Sequence, residues 1–141
     1  MPATALPLTG ACGCGAVRFE VAEPLVGAAY CHCTRCQRRT GTAAAASARL
    51  APDSLRITAG EEHLRAWAPE GGFEKVFCGE CGSALFGRDP ASATIVIVRL
   101  GAFDGDPGVR PSMRQFVASA APWEPIPDDG LPRFEERAPS R

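Results

Sequence analysis

Cys12-Gly-Cys14, Cys31-His-Cys33-Thr-Arg-Cys36 and Cys78-Gly-Glu-Cys81 are the stretches on which the reading of this chain turns. A C-x-C or C-x-x-C places two sulfurs a few ångströms apart off a tight turn, pointing the same way. That is half of a tetrahedral zinc site, and two such halves complete one. All seven cysteines of the 141-residue chain lie in these three knuckles, enough for one set of four and one of three. A closed set of four holds a fold together, whereas a set of three leaves one coordination position for chemistry. An odd number of thiols suits pairing as cystine poorly, so metal is favoured over a disulfide scaffold.

Spacing alone permits two ways of sharing the sulfurs. Cys33/Cys36 with Cys78/Cys81 makes a ribbon-like set across a long loop, and Cys12/Cys14 with Cys78/Cys81 serves equally well. The second has a small advantage, because it keeps Cys31, Cys33 and Cys36 together as a contiguous C-x-C-x-x-C able to wrap one ion on three sides.

Between the knuckles the chain reads as mainly β. Val17-Arg18-Phe19-Glu20-Val21 alternates with period two, which predicts a half-buried strand with Val17, Phe19 and Val21 inward. Further strands are expected over 25–30, over 55–57 pairing with 64–67, over 73–77 and over 84–86. The Ala-rich stretch 42–50 is balanced between helix and strand, and Gly41 and Pro52 leave it short enough to favour strand. Ile95-Val-Ile-Val-Arg-Leu100 is the clearest β segment, continuous enough to be expected buried on both faces. A core over about residues 8–118 is followed by a tail over 119–141 whose prolines force it to lie extended or dangle. The whole length 1–141 fits one domain, with no repeat or linker.

Composition narrows the function classes. Hydrophobic residues make up 45% and charged residues 22% of the chain, as in ordinary globular proteins. A net charge of −1 provides no basic field for nucleic acid or an anionic membrane. The N-terminal stretch lacks a positive n-region and an apolar run, so no signal peptide is expected, and no segment is long enough to span a bilayer. A cytoplasmic protein with reduced thiols is the expectation.

Together these residues resemble the glutathione-dependent formaldehyde-activating enzyme family, whose eukaryotic relatives include a centromere-associated protein. The resemblance runs from Gly10-Ala-Cys12-Gly-Cys14-Gly-Ala-Val-Arg-Phe19 through Cys31-His-Cys33-x-x-Cys36-Gln-Arg-x-x-Gly41 to Phe77-Cys78-x-x-Cys81-Gly-Ser-x-Leu85. It continues in Leu100-Gly-Ala-Phe-Asp104-x-x-Pro107 and in the segment from Trp123 to Phe134. As a joint pattern it is highly specific, although any one knuckle is weak. It implies a β-tent fold of small stacked antiparallel sheets. It implies a structural zinc on Cys12, Cys14, Cys78 and Cys81, and a second zinc with an open position on Cys31, Cys33 and Cys36 as the catalytic set. The Ala-rich segment departs from the family, which carries larger residues there, so a wider pocket follows if that segment lines it.

The activity implied is that of a carbon–sulfur lyase acting on glutathione, or another thiol, and a small aldehyde such as formaldehyde. Zinc would lower the pKa of an incoming thiol from about 8.5, or else polarise the aldehyde oxygen. Arg35, Arg38 and Arg39 stand beside the trio and suit the carboxylates of glutathione; the plainer alternative is that they offset thiolate charge or face water. Trp123 is a candidate pocket wall, or an anchor for the tail. His32 should point away from the sulfurs of its neighbours in an extended knuckle, which favours a hydrogen-bonding role over ligation. His63, in the charged turn Glu61-Glu62-His63, is assigned no role. The alternative to an enzyme is a non-catalytic zinc module that binds a thiol ligand or a protein partner.

Overall fold

The computed structural model describes residues 5–139. Residues 1–4, which begin the segment read for a leader, and 140–141, which end the expected tail, lie outside the described residues. The strands are β1 (Leu8–Ala11), β2 (Arg18–Val21), β3 (Gly27–Cys31), β4 (Ala45–Arg49) and β5 (Leu55–Ala59). They continue as β6 (Leu64–Trp67), β7 (Glu74–Cys78), β8 (Ala84–Arg88), β9 (Ile95–Arg99), β10 (Pro111–Gln115) and β11 (Arg133–Phe134). A single α-helix among the described residues, α1 (Thr34–Thr40), follows the central knuckle.

The architecture is mainly β. Strands β1-β2-β5 form a three-stranded antiparallel sheet, and β11-β10-β3-β4-β9-β8-β7-β6 form an eight-stranded one. The larger sheet is antiparallel from β3 through β6, and β10 joins it in parallel with both β3 and β11. The Ala-rich stretch is strand, as favoured. Its residues oppose β3 one for one from Gly27↔Arg49 to Cys31↔Ala45.

Residues that pair across the large sheet explain the core. Ala28, Ala48, Val98, Phe86 and Val76 stand opposite one another in turn across β3, β4, β9, β8 and β7. Each is at most 6% exposed. The small sheet adds Leu8, Phe19 and Val21 to the same core, alongside Val17. Phe19 meets Phe86 edge-on at a centroid distance of 5.2 Å and Phe103 at 5.6 Å, geometry that aromatic pairs prefer. Gly10, directly opposite Phe19, lets the strands close: a Cβ there would overlap the Phe19 ring and lie 2.5 Å from the Ala102 carbonyl oxygen. Thr9 Oγ1 donates to Asp104 at 2.7 Å, which ties the turn after β9 back to β1.

Two expectations need correction. Residues 64–67 do not pair with 55–57; β6 pairs with β7, and β5 pairs with β2 in the other sheet. Gly60, at φ 80°, and the 3-10 turn Glu61–His63 carry the chain from one sheet to the other between them. Nor is the strand 95–99 buried on both faces. Val98 is fully buried, while Ile95, Val96 and Ile97 are only partly covered. One face meets the core, and Ile97 on the other stands opposite Gly87, which offers no side chain. The tail lies extended along the sheet edge, held by Arg114 N–H to the Pro132 carbonyl at 2.9 Å and Phe116 N–H to Glu136 at 2.9 Å. No helix among the described residues is long and apolar enough to cross a membrane.

Candidate metal centres

The first and third knuckles, 64 residues apart between Cys14 and Cys78, meet in space. The Sγ atoms of Cys12, Cys14, Cys78 and Cys81 all lie within 4.8 Å of one another. Cys12 and Cys14 are 3.6 Å apart at sulfur, and Cys14 and Cys78 are 4.0 Å apart. Four sulfurs at about 2.3 Å from a shared tetrahedral ion lie about 3.8 Å from each other, so this set fits one metal ion. The local backbone explains the convergence. In the third knuckle the Gly82 N–H donates to the Cys78 carbonyl at 2.7 Å, and Gly82 takes the left-handed φ of 79° that this turn requires. Val17 and Glu80 N–H groups point at the sulfurs of Cys12 and Cys78 at 3.3 and 3.4 Å. Ser83 Oγ, 3.1 Å from Cys81 Sγ, also accepts from Gly13 N–H at 2.8 Å and so joins the two knuckles. That hydroxyl is the first cause drawing the Cys81 thiol down to about 5.

The second set is local. Cys31 ends β3, Cys33 caps α1 and Cys36 lies in its first turn, with all three sulfurs within 4.8 Å of one another. Cys33 does the work of a serine cap: its Sγ accepts from the Cys36 N–H at 3.3 Å, with Cys33 itself extended at φ −64° and ψ 153°. Gly41, at φ 68°, ends the helix with its N–H on the Gln37 carbonyl. The Gln37 side chain donates to the carbonyls of His32 at 2.7 Å and Ser119 at 2.8 Å, and so fixes helix, knuckle and tail together. Within the trio a hydrogen bond from Cys31, then Cys33 and the cations Arg99 and Lys75, draw the Cys36 thiol down to about 5 against the effect of burial. The same pairing with Cys36, reinforced by burial, pushes Cys31 far up. Of the two ways of sharing the sulfurs that spacing permits, the structure adopts the second.

The other residues named from sequence fall in different places. Arg35 reaches over the turn before β7, 3.4 Å from the Glu70 carbonyl. Arg39 lies over the Phe77 ring at 5.4 Å, half-buried, and Arg38 is exposed to solvent. Trp123 is 64% exposed, too open to anchor the tail. His32 is 3% exposed, and its Nε2 lies 3.1 Å from Arg114 Nη1. A guanidinium only donates, so Nε2 accepts and the ring is neutral there; burial first, then Arg114, holds its pKa below the usual imidazole value. Of the Ala-rich segment, Ala45 and Ala48 are core, and Ala43 and Ala44 line a cleft of about 190 Å³ with Tyr30, His32, Arg114 and 124–127. His63 is not idle: its Nδ1 lies 3.1 Å from Glu80 in the third knuckle.

Three groups escaped the sequence reading. Lys75 on β7 and Arg99 on β9 act on the charge of Cys36. Arg114, 8% exposed, stands over Tyr30 at 4.3 Å and binds Asp129 through Nε and Nη2 at 3.2 and 2.8 Å. The available signal was Arg99 itself, a lone charge closing the apolar run Ile95–Val98.

Comparison with known proteins places the chain. The family described as glutathione-dependent formaldehyde-activating enzyme matches residues 7–119. A protein of Halomonas elongata that carries the same name is 31% identical over 105 residues, which cover 70% of this chain and 67% of the relative. A crystal structure of a Rhodobacter sphaeroides protein superposes with a TM-score of 0.54 at 27% identity, covering 89% of this chain and 98% of that one.

Proposed function

The chain belongs to the glutathione-dependent formaldehyde-activating enzyme family, and from that premise we propose a zinc-dependent enzyme of carbon–sulfur lyase type. Its substrates are glutathione, or a thiol of like chemistry, and a small aldehyde such as formaldehyde. In the synthetic direction a bond forms between the thiol sulfur and the carbonyl carbon, and the thiol proton ends on the aldehyde oxygen. The reverse breaks the same carbon–sulfur bond.

One observation carries this reading: three sulfurs converge at Cys31, Cys33 and Cys36 while the other four cysteines are gathered elsewhere. Zinc held by those three thiolates would supply an open position at which an incoming thiol ionises near neutral pH. Cys12, Cys14, Cys78 and Cys81 hold a second, structural zinc in this reading. The protein supplies position. The Cys33 cap and Gln37 fix the three sulfurs relative to α1, while Arg35 and Arg39 stand where substrate carboxylates can meet them. Arg38 and Trp123 are rim contacts that a bound ligand reaches from the exposed surface.

Protein purified under reducing conditions should carry two zinc ions per chain, one for each cysteine group. It should also bind glutathione by calorimetry and speed the approach to equilibrium of glutathione with formaldehyde, followed by NMR exchange, beyond the uncatalysed rate. Zinc on the quartet alone, or no heat with millimolar glutathione, defeats the enzyme reading and leaves a zinc module that binds a protein partner.

A further inference from the structure

Alternate residues of a strand share one face, so the pairing register shows what lies beneath α1. Opposite the buried row that ends in Val76, the large sheet presents Ala29, Ser47 and Arg99 side by side across β3, β4 and β9. Cys31 follows Ala29 on that face, two residues along β3. Ile97, two residues before Arg99, faces Gly87, and Gly87 faces Lys75 on β7. Lys75 and Arg99 therefore share a sheet face with Cys31, and between them the Ile97 side chain lies over Gly87, where a Cβ would stand 3.1 Å from it.

From above, α1 adds Arg35 and Arg39, one helical turn apart. Four cations thus surround Cys33 and Cys36, and among the described residues no carboxylate pairs with any of them. Three of them have neutral partners: Ser47 Oγ for Arg99 at 2.7 Å, the Glu70 carbonyl for Arg35, the Phe77 ring for Arg39. The Arg39 Nε is buried with no hydrogen-bond partner among the described residues. Crowding like charges into a half-buried face is unfavourable unless anions meet them. The trio does not suffice: three thiolates around a divalent ion leave a single negative charge against four positive ones.

We propose that Arg39, Lys75 and Arg99, with Arg35 at the edge, form a carboxylate-binding subsite that holds the anionic end of the thiol substrate while its sulfur meets the trio. This rests on the proposed function and gives it a specificity: thiols bearing carboxylates over neutral or cationic ones. Lys75 and Arg99 bind the substrate directly in this scheme. The rival is that they serve only to offset the charge of Cys33 and Cys36.

The test uses the full zinc-loaded chain, with Lys75→Gln, Arg99→Gln and the charge-preserving Arg99→Lys. S-methylglutathione, which keeps both carboxylates but has no free thiol, reports on the subsite apart from the trio. Each neutralising variant should weaken it about tenfold, the equivalent of one charge-assisted hydrogen bond, and Arg99→Lys should recover most of that loss. Cysteamine, a thiol without a carboxylate, should change less than about twofold, and zinc content should stay at the wild-type value. Equal weakening of both ligands, or loss of zinc in the neutralising variants, assigns these cations to the thiolates and overturns the subsite. Absence of S-methylglutathione binding to the wild type overturns it too. Binding that persists in a protein with no effect on the formaldehyde reaction keeps the subsite and removes the enzyme.

Discussion

The two cysteine groups bring the same atoms together in opposite ways. The quartet joins knuckles from distant parts of the chain, and its sulfurs receive N–H groups from Val17 and Glu80 and contact with the Ser83 hydroxyl. Nothing in it is spare. The trio spans six consecutive residues, closes no long loop, and sits among Arg35, Arg39, Lys75 and Arg99, none of which has a carboxylate partner among the described residues. A cluster that closes the chain on itself changes the stability of the whole fold, whereas a local one can be altered at the expense of binding alone. Under the proposed function, that difference gives structure to one site and chemistry to the other.

The most severe way to break that contrast is to remove one sulfur from each side. Cys81→Ser takes a ligand from the quartet. Total stability for a chain of this kind is roughly 5–15 kcal/mol, and a structural zinc supplies a large part of such a total. Cys81→Ser should therefore unfold or aggregate the protein. Cys36→Ser should lower the melting temperature by less than about 5 °C, retain near-UV circular dichroism, and abolish glutathione binding. Equal collapse of both variants would make the trio structural as well, and the contrast would fail.

Much of this was legible beforehand, for a physical reason. Cysteine knuckles and period-two strands are local patterns, and a strand such as Val17–Val21 declares its inward face without reference to any partner. What stayed hidden depends on register. Lys75 sits in an ordinary polar–apolar alternation, and only the pairing of β7 with β8 and of β8 with β9 puts it near Arg99. The parallel docking of β10 on β3, which delivers Arg114 to His32, joins segments about 80 residues apart with no turn signal between them. The pairing assigned to 64–67 went astray for the same reason. Proximity in sequence suggested a hairpin, but Gly60 and its turn send the chain to the other sheet.

A milder perturbation probes the quartet side through its supporting strand. Gly10 leads directly into the first knuckle, and a Cβ there has no free space between Phe19 and the Ala102 carbonyl. Gly10→Ala should cost about 1–3 kcal/mol, the usual penalty for overpacking, seen as a reduced urea midpoint with an unchanged m-value. Glutathione affinity should stay within about twofold of wild type, because the trio hangs from the other sheet. A loss of binding larger than the loss of stability would mean that the two sites are coupled through the core.

The smallest effect belongs to the trio side and to acid. Asp129 accepts two hydrogen bonds from Arg114, whose third nitrogen faces His32 between two of the trio cysteines. The bond from Arg114, followed by the Leu131 N–H, holds the Asp129 carboxyl below the ordinary carboxylate value. Its contribution is therefore complete above the unfolded pKa of about 3.9 and is lost as pH falls through the lower folded value. Asp129→Asn should lower the melting temperature by a few degrees at pH 7, and the gap between variant and wild type should close as the pH drops below about 4. At neutral pH the variant should release metal from the trio faster than wild type while the quartet keeps its own, read by a chromogenic chelator in two phases. Acceleration of both phases alike would show that Arg114 steadies the fold in general, and that the tail has no particular hold on the trio.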